Sequence, residues 1–218
     1  MLPTVTYHVE CSLDGRIDWL KPDGFLYYRV IQDQTYDAMI SGSNTILAAP
    51  MSQDERIEKI LDQFLIVVDS QGKIRNWDLI KRQPHWNDTP IVLCSRRTPE
   101  SYKCEAKANG VHCIVAGENR VALRAALEEV SERFGVKTIR IDSGGVLAGV
   151  FLRDGLVDEV SLLFSPQLTG GTSPKTIFTA DDLDSIKNVV DLELKETRVV
   201  EGGRVWLQYR VINRKASG

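Results

Sequence analysis

The sequence lacks a long apolar run and an export signal. No stretch of its 218 residues approaches the uninterrupted hydrophobic length that a transmembrane helix needs. The first ten residues, MLPTVTYHVE, have neither the positively charged start nor the apolar core of a signal peptide. We therefore expect a cytoplasmic protein that does not associate with a membrane.

The sequence also lacks the cysteine spacing of a metal site. Its four cysteines include no C-x-x-C pair, and none of the three histidines stands beside a cysteine in a zinc pattern. Cys11, Cys94 and Cys113 lie in or beside apolar runs typical of strands, where a buried free thiol is the ordinary state. The sequence predicts a reduced protein without a structural metal.

The sequence lacks a large excess of charge of either sign. The chain has 27 basic and 30 acidic residues, a net charge of −3, and a hydrophobic content of 43%. Because non-specific nucleic-acid binding usually requires a basic protein, we expect no nucleic-acid partner. The length and composition are typical of one globular domain, which we predict over residues 1–218, with a substantial core.

Short β-branched runs alternate with amphipathic stretches along the chain. The clearest helix is predicted from Val121 to Phe134 and ends at Gly135, and shorter helices are predicted at residues 25–34 and 54–62. Strands are predicted at residues 4–10, 36–40, 64–68, 91–94, 111–115, 139–141 and 157–164. Two alternating segments, 189–194 and 204–211, are predicted as an antiparallel pair whose inward side chains are Leu192, Leu194, Val205, Leu207, Tyr209 and Val211. This pattern indicates an α/β fold with a mixed sheet.

The most informative stretch follows the strand that ends near Ile141. It contains Asp142-Ser143-Gly144-Gly145 and then an apolar helical segment from Val146 to Leu152. Two glycines at a strand end leave room for a ligand, and the helix start behind them suits a phosphate. A tight turn without a ligand would give the same pattern. The spacing is not G-x-G-x-x-G and no acidic ribose-binding residue follows, which argues against a Rossmann domain.

Three other strand ends carry candidate site residues. The segment 41–45, Ser-Gly-Ser-Asn-Thr, precedes a helical turn and is either a second cradle for a cofactor or a helix-capping cluster. Asp14 follows the first strand, where a carboxylate can line a ligand crevice, but an Asx hydrogen bond that only holds the turn is the simpler explanation. Arg96 and Arg97 suit either an anion or a solvated surface.

These stretches resemble the dihydrofolate-reductase-like fold and, more closely, the reductase domain of riboflavin biosynthesis, the C-terminal half of the bifunctional deaminase–reductase. The resemblance covers nearly the whole chain, in the family's order. It rests on residues 12–16, on 37–45 (similar to D-A-x-x-x-G-x-x-T), on 68–72, and on 142–147 continuing through 155–159 to Pro166 and Gly170-Gly171. It implies a three-layer fold with a mixed, mostly parallel central sheet, helices on both faces and C-terminal antiparallel strands.

The resemblance also implies an NADPH-dependent oxidoreductase, active as a homodimer, that reduces the ribosyl group of a (di)aminopyrimidine ribosylamine 5′-phosphate to ribityl. Ser70 would lie on the adenosine side, where a 2′-phosphate distinguishes NADPH from NADH. The implied cofactor contacts are Cys11, Gly42, Ser43, Thr45, Ser70, Gly144, Gly145, Val146 and Leu147. The implied substrate contacts are Ser12, Asp14, Trp19 and Asp142, with Asp14 as the catalytic carboxylate that orients the ribose or favours its ring-opened, imine-like form.

Two departures from the family pattern concern the substrate. Thr45 leads to Ile-Leu-Ala-Ala-Pro rather than to an acidic residue and D-x-P, and the loop at residues 19–28 lacks the serine and arginine expected for a substrate phosphate. The H-x-E and P-C-x-x-C motifs of the deaminase half are absent, which predicts a stand-alone reductase. The alternatives are a relative that reduces another pterin-like or carbonyl substrate and a non-catalytic nucleotide-binding sensor. Hydride transfer separates the enzymes from the sensor.

Overall fold

The computed structural model describes residues 1–54, 58, 60–173 and 175–212. The strands are β1 (Thr4–Ser12), β2 (Ala38–Gly42), β3 (Phe64–Val68), β4 (Ile91–Cys94), β5 (His112–Val115), β6 (Thr138–Ile141), β7 (Glu159–Ser165), β8 (Leu192–Val200) and β9 (Arg204–Val211). The helices are α1 (Gly24–Arg29), α2 (Ser43–Ala48), α3 (Trp77–Arg82), α4 (Glu100–Ala108), α5 (Leu123–Phe134) and α6 (Gly145–Arg153). The chain divides into two compact units: residues 1–3 with 36–140, and residues 4–35 with those from Ile141 onward. A single domain over residues 1–218 stays a prediction.

The first unit contains a parallel sheet in the order β5-β4-β3-β2. The side chains of β4 and the central residues of β3 are fully buried, as expected for parallel strands covered on both faces. Trp77, Trp86 and Tyr102 are the largest members of its core. Because parallel strands end at the same edge, the residues after β2, β3 and β4 lie along one edge of this sheet.

The second unit combines parallel and antiparallel pairing. β1 pairs in parallel with β7, β7 pairs antiparallel with β9, and β9 pairs antiparallel with β8. Together with the first unit, these pairings confirm the predicted α/β class with a mixed, mostly parallel sheet and C-terminal antiparallel strands. No helix in the described ranges is long and apolar enough to cross a membrane.

The helix predictions were correct in part. α5 ends at Gly135, whose φ of +69° is the left-handed cap conformation that glycine adopts most easily. The helix predicted at residues 54–62 is wrong at its described positions, because the N–H groups of Ile60 and Leu61 donate to the Pro84 carbonyl oxygen at 2.8 and 3.2 Å instead of closing helical turns. The rest of that prediction, residues 55–57 and 59, lies outside the described residues. α3 and α4 were not predicted.

The inward face of the C-terminal strands was also predicted wrongly, except at Val211, which is buried. Leu192 and Leu194 are 39% and 51% exposed, whereas Trp206 and Gln208 of β9 are buried. Alternation shows which residues share a face of a strand, but neighbouring elements decide which face is covered. β8 is the last strand in the order, and each of its side chains is exposed or half-exposed.

Candidate active site

Asp14 lies in the turn after β1, and its carboxylate joins that turn to a loop that follows β7. The Ser12 hydroxyl donates to Asp14 Oδ1 at 2.5 Å, and the backbone N–H groups of Thr169 and Gly170 donate to the carboxylate at 3.2 and 2.7 Å. The Ser12 hydrogen bond, supported by the two backbone donors, lowers the pKa of Asp14 to about 2. The carboxylate is therefore ionised near neutral pH, where it accepts hydrogen bonds but has no proton to donate.

Arg16 also holds the loop that follows β7. Only 5% of Arg16 is exposed, and its Nε lies 3.2 Å from Asp18 Oδ1. Its guanidinium also donates to the carbonyl oxygens of Gly171 and Ser173. Oxygen atoms of three residues, Asp18, Gly171 and Ser173, thus hold Arg16 in place, and Arg16 anchors the loop.

Trp19 stands at the rim of an open cavity of about 500 Å³ in the second unit. Its side chain is 88% exposed, and its φ of +60° is rare for a bulky residue. The cavity is lined by Trp19, Lys21, Gln167, Leu168 and Thr169. An exposed indole beside a cavity offers a stacking surface for a planar ring.

Asp142, directly after β6, is held by two tyrosines of α1. The Tyr27 hydroxyl lies 3.2 Å from Asp142 Oδ1 and the Tyr28 hydroxyl lies 3.3 Å from Oδ2. The Tyr27 hydroxyl also lies 3.0 Å from the His8 carbonyl oxygen, so its single proton serves two acceptors. The two tyrosines orient the carboxylate at the point where β6 turns into α6.

A buried hydrogen-bond chain supports Tyr27 from inside the unit. His8 Nε2 lies 2.9 Å from the Tyr27 carbonyl oxygen, which can only accept, so Nε2 carries a proton. In the neutral ring Nδ1 then accepts from the Ser161 hydroxyl at 2.8 Å, and Ser161 accepts from the Trp206 indole N–H at 2.8 Å. His8, Ser161 and Trp206 are fully buried, and the hydrogen-bond chain fixes the position of α1 on the strands.

The start of α6 presents backbone N–H groups without a capping side chain. Gly144 is the N-cap, and no side chain hydrogen-bonds to the cap. A Cβ at Gly144 would meet only the Ile17 Cδ1 atom, at 3.5 Å, and Val146 is 65% exposed. Leu147 is half-buried. This geometry suits an anion, because the first N–H groups and the positive end of the helix dipole face the same way.

Gly145 has a different reason for lacking a side chain. A Cβ at Gly145 would lie 2.0 Å from the Thr176 carbonyl oxygen, and one at Gly149 would lie 2.0 Å from that of Thr179. The Thr179 N–H donates to the Gly145 carbonyl oxygen at 3.1 Å. The two glycines therefore accommodate the 176–179 segment against α6, and the space that the sequence suggested for a ligand at Gly145 is filled by this segment.

Cys11 lies within β1 and is fully buried. Burial, reinforced by the carboxylates of Glu10 and Asp14, raises the pKa of its thiol to about 12. The side chain is therefore a neutral thiol at physiological pH. Its contact with a cofactor stays a prediction.

The first unit carries the remaining predicted residues. Gly42 is the N-cap of α2 and has no side-chain cap, and Ser43 and Thr45 are half-buried in the first turn of that helix. Ser70 follows β3, and its carbonyl oxygen accepts from the Thr98 hydroxyl at 2.8 Å. Thr98 Oγ1 in turn accepts from the Ser95 N–H at 3.0 Å, which ties the end of β3 to the end of β4.

Two arginines lie on the loop that follows β4. Arg96 forms an ion pair with Glu118 at 3.1 Å, and the Arg97 guanidinium donates to Asn119 Oδ1 at 3.2 Å. Both side chains are exposed, so both are available to an anion at the cost of weak surface contacts. Ser70 is thus hydrogen-bonded to Thr98, the residue that follows the two arginines in the chain.

The predicted substrate residues fall into separate clusters, and each cluster contains residues that were not predicted. Ser12 is bonded to Asp14, whereas Asp142 belongs to a separate cluster with Tyr27 and Tyr28. The residues that sequence reasoning missed are Arg16, Lys21, Tyr28 and Thr98, and it gave Tyr27 no role in the site. The consecutive tyrosines on the predicted helix at 25–34 were the available signal. In the part of the chain that the structure describes, no group of three or more His, Cys, Asp or Glu side chains is placed to hold a metal ion.

Comparison with known proteins identifies the family. The model of the RibD C-terminal domain matches residues 3–206. A relative from Methanothermobacter thermautotrophicus, named 2,5-diamino-6-ribosylamino-4(3H)-pyrimidinone 5′-phosphate reductase, is 28% identical over 211 residues, which cover 90% of this chain and 93% of the relative.

Solved structures agree on the fold. RibD from Acinetobacter baumannii matches with a TM-score of 0.72 at 18% identity, over 97% of this chain but 59% of that chain. A pyrimidine reductase-like protein from Corynebacterium diphtheriae matches with a TM-score of 0.71 at 18% identity, over 97% of this chain and 92% of that one. The chain thus spans little more than half of the RibD protein. The predicted dihydrofolate-reductase-like fold and family are confirmed, and this chain belongs to the RibD C-terminal domain family.

Proposed function

We propose that this protein is an NADPH-dependent reductase that converts the ribosyl group of a (di)aminopyrimidine ribosylamine 5′-phosphate to ribityl. Its family and the reductase named for its full-length relative support this assignment. The structural observation that carries it is the start of α6, where Asp142 and the uncapped Gly144 N-cap stand side by side. That pairing supplies an anion site next to an oriented carboxylate.

The residues at the strand ends fit a nicotinamide cofactor. In the second unit, the backbone N–H groups at Gly144, Gly145, Val146 and Leu147 would hold the pyrophosphate. Gly144 has room for a close approach, whereas Gly145 would contribute only its N–H group, because its side-chain position faces Thr176. In the first unit, Gly42, Ser43 and Thr45 offer a second uncapped helix start. The bound cofactor supplies a hydride, and the protein binds and orients the two reactants.

A preference for NADPH over NADH would come from the first unit. The 2′-phosphate would lie by Ser70 and exchange the surface contacts of Arg96 and Arg97 for charge-assisted hydrogen bonds. Replacing both arginines with alanine should weaken NADPH binding by about 10-fold or more and leave NADH binding unchanged, because only the 2′-phosphate bonds are lost. Equal weakening of both cofactors would contradict this assignment.

On the substrate side we assign Asp142, Asp14, Ser12 and Trp19. Because Asp14 is ionised near neutral pH, its role is to accept hydrogen bonds from ribose hydroxyls and to hold the 167–170 loop, rather than to supply a proton. Ser12 keeps that carboxylate in place at 2.5 Å. Trp19 would stack on the pyrimidine ring at the rim of the cavity.

A reductase of an unphosphorylated carbonyl or pterin-like compound is the second candidate. The arginines of the second unit that lie on or near the loops around β1 are engaged elsewhere: Arg16 with Asp18, Arg29 with Glu201 and Arg204 with Glu10. Lys21 is the cationic side chain that lines the cavity. A phosphate on the substrate would therefore have to bind Lys21. If Lys21 does not bind a phosphate, the second candidate, with an unphosphorylated substrate, is favoured.

We also propose a homodimer formed through β8 and a location in the cytoplasm. All of β8 is at least half-exposed, and its apolar side chains include Leu194 at 51% and Val199 at 82% exposure. An outermost strand of nine residues with exposed apolar side chains usually pairs or packs with another copy.

The deciding experiment is a titration of the purified protein with NADPH and with NADH, followed by nicotinamide fluorescence. NADPH that binds at least about 10-fold more tightly than NADH supports the reductase. Oxidation of NADPH on adding the ribosylaminopyrimidine phosphate, but not its unphosphorylated form, then selects the first candidate over the second. No binding of either cofactor would reject both candidates.

A further inference from the structure

Two cysteines of the first unit lie in contact on neighbouring strands. Cys94 is the last residue of β4, and Cys113 lies on β5 opposite Val92, two residues before the position that faces Cys94. Their sulfur atoms are 3.7 Å apart and share a hydrogen bond. Side chains two residues apart point to the same face of a sheet, which explains the contact.

The two thiols differ in exposure and in charge environment. Cys94 is fully buried, whereas Cys113 is half-buried on the outermost strand of this unit's sheet. The hydrogen bond with Cys94, together with the charges of Lys107 and Lys103 on α4, lowers the pKa of Cys113. The same hydrogen bond and burial raise the pKa of Cys94. The accessible sulfur is thus the one that ionises first.

We propose that Cys113 and Cys94 form a reactive dithiol that hydroperoxides oxidise to a disulfide. The Cys113 thiolate attacks the peroxide, the O–O bond breaks, and the products are a Cys113 sulfenic acid and an alkoxide or hydroxide that takes up a proton. The Cys94 sulfur then attacks the sulfenic acid, forms the S–S bond and releases water. The two thiols lose two electrons and the peroxide gains them.

Closing this bridge affects the residues that follow β4. The sulfurs must approach from 3.7 Å to about 2.05 Å, which displaces the end of β4. The next residue, Ser95, donates its N–H to Thr98, and Thr98 donates its hydroxyl to the Ser70 carbonyl oxygen. We therefore expect the disulfide to disturb the segment at which the proposed function places the adenosine end of NADPH. This link rests on the proposed function, whereas the dithiol itself does not.

The test treats the reduced, full-length protein with hydrogen peroxide and digests it without reductant for mass spectrometry. We expect a peptide pair joined through Cys94 and Cys113, reversed by dithiothreitol, in the wild type and in the Cys104→Ser control, which removes the exposed cysteine of α4. In Cys94→Ser, Cys113 should stop at a sulfenic acid trapped by dimedone. In Cys113→Ser, Cys94 should stay unoxidised. A wild-type protein without the bridge, or with Cys113 converted only to sulfinic acid, overturns the proposal.

NADPH affinity of the reduced and bridged forms tests the link to the cofactor. Bridging should raise the dissociation constant by about fivefold or more, and the Cys113→Ser variant should lose this response to peroxide. Equal affinity of the two forms overturns the link and leaves the dithiol as a modification site alone. If the reduced protein does not bind NADPH, the proposed function and the link fall together, while the mass measurement still decides the dithiol.

Discussion

At the scale of single residues, Asp14 shows how a site carboxylate can be part of the fold. It accepts hydrogen bonds from Ser12, Thr169 and Gly170, and these lower its pKa to about 2. An aspartate in an unfolded chain titrates near pH ~3.9. The ionised carboxylate therefore stabilises the folded state above about pH 4, and this contribution is lost as the pH falls through about 2.

We expect the Asp14→Asn variant to have a lower free energy of unfolding at pH 6 and a weaker decline between about pH 4 and pH 2 than the wild type. Urea unfolding at a series of pH values measures both effects. Asp33→Asn, which changes an exposed aspartate elsewhere in the second unit, is the control. The same pH profile in Asp14→Asn and the wild type would contradict this account.

Tyr27 is the second residue whose role can be isolated. Tyr27→Phe keeps the ring, whose centroid lies 4.3 Å from that of His8, and removes the hydroxyl from Asp142 and the His8 carbonyl oxygen. We expect a loss of about 1 kcal/mol in the free energy of unfolding and a fall of about 10-fold in kcat, with NADPH affinity unchanged. Steady-state kinetics and urea unfolding provide the measurements.

Tyr28→Phe is the matched control, because that hydroxyl contacts Asp142 from a side chain that is 43% exposed. It should cost less stability, since the lost hydrogen bond is exchanged for one with water. If Tyr27→Phe keeps the wild-type kcat, the orientation of Asp142 by α1 does not contribute to the reaction.

At the scale of elements, we expect Gly145 to serve the packing of α6 and its N-cap Gly144 to serve cofactor binding. Gly145→Ala would place a Cβ 2.0 Å from the Thr176 carbonyl oxygen, so we expect a loss of about 1–3 kcal/mol in the free energy of unfolding. Gly144→Ala meets only Ile17 Cδ1 at 3.5 Å and should fold normally, but with weaker NADPH binding because the new methyl group crowds the N–H groups.

Thermal unfolding and NADPH titration of these two variants separate the roles. Gly144→Val extends the series with a larger side chain at the position that has space. A stable Gly145→Ala protein would show that the 176–179 segment moves away without cost. Unchanged NADPH affinity in both Gly144 variants would remove the pyrophosphate from the start of α6.

At the scale of the whole molecule, the proposed homodimer would form through β8. Its exposed apolar side chains lead us to expect a dimer in size-exclusion chromatography with light scattering. Val199→Glu, at a position that is 82% exposed, should shift the protein towards the monomer because the charge would be buried in the interface. Lys187→Glu, an exposed change outside β8, is the control. A monomeric wild type would reject this interface.

Much of the fold could be predicted from local patterns. Buried parallel strands such as β3 and β4 are continuous apolar runs, and α5 combines a regular apolar stripe with a glycine cap, so their sequences alone indicate their structure. The helix expected around residue 60 failed because the Pro84 carbonyl oxygen, 24 residues from Ile60 in sequence, takes the hydrogen bonds. Such a partner leaves no trace in the local pattern.

The sequence by itself determined the family and the α/β class, because these depend on short-range periodicity and on motifs that survive at 28% identity. Only the tertiary structure decided what each motif residue does. It showed that Gly145 makes room for Thr176, that Asp14 is held by Ser12 and Gly170, and that two tyrosines of α1 orient Asp142. The contacts of Asp14 with Gly170 and of Asp142 with the two tyrosines join residues more than a hundred positions apart, and a local pattern does not encode such pairs.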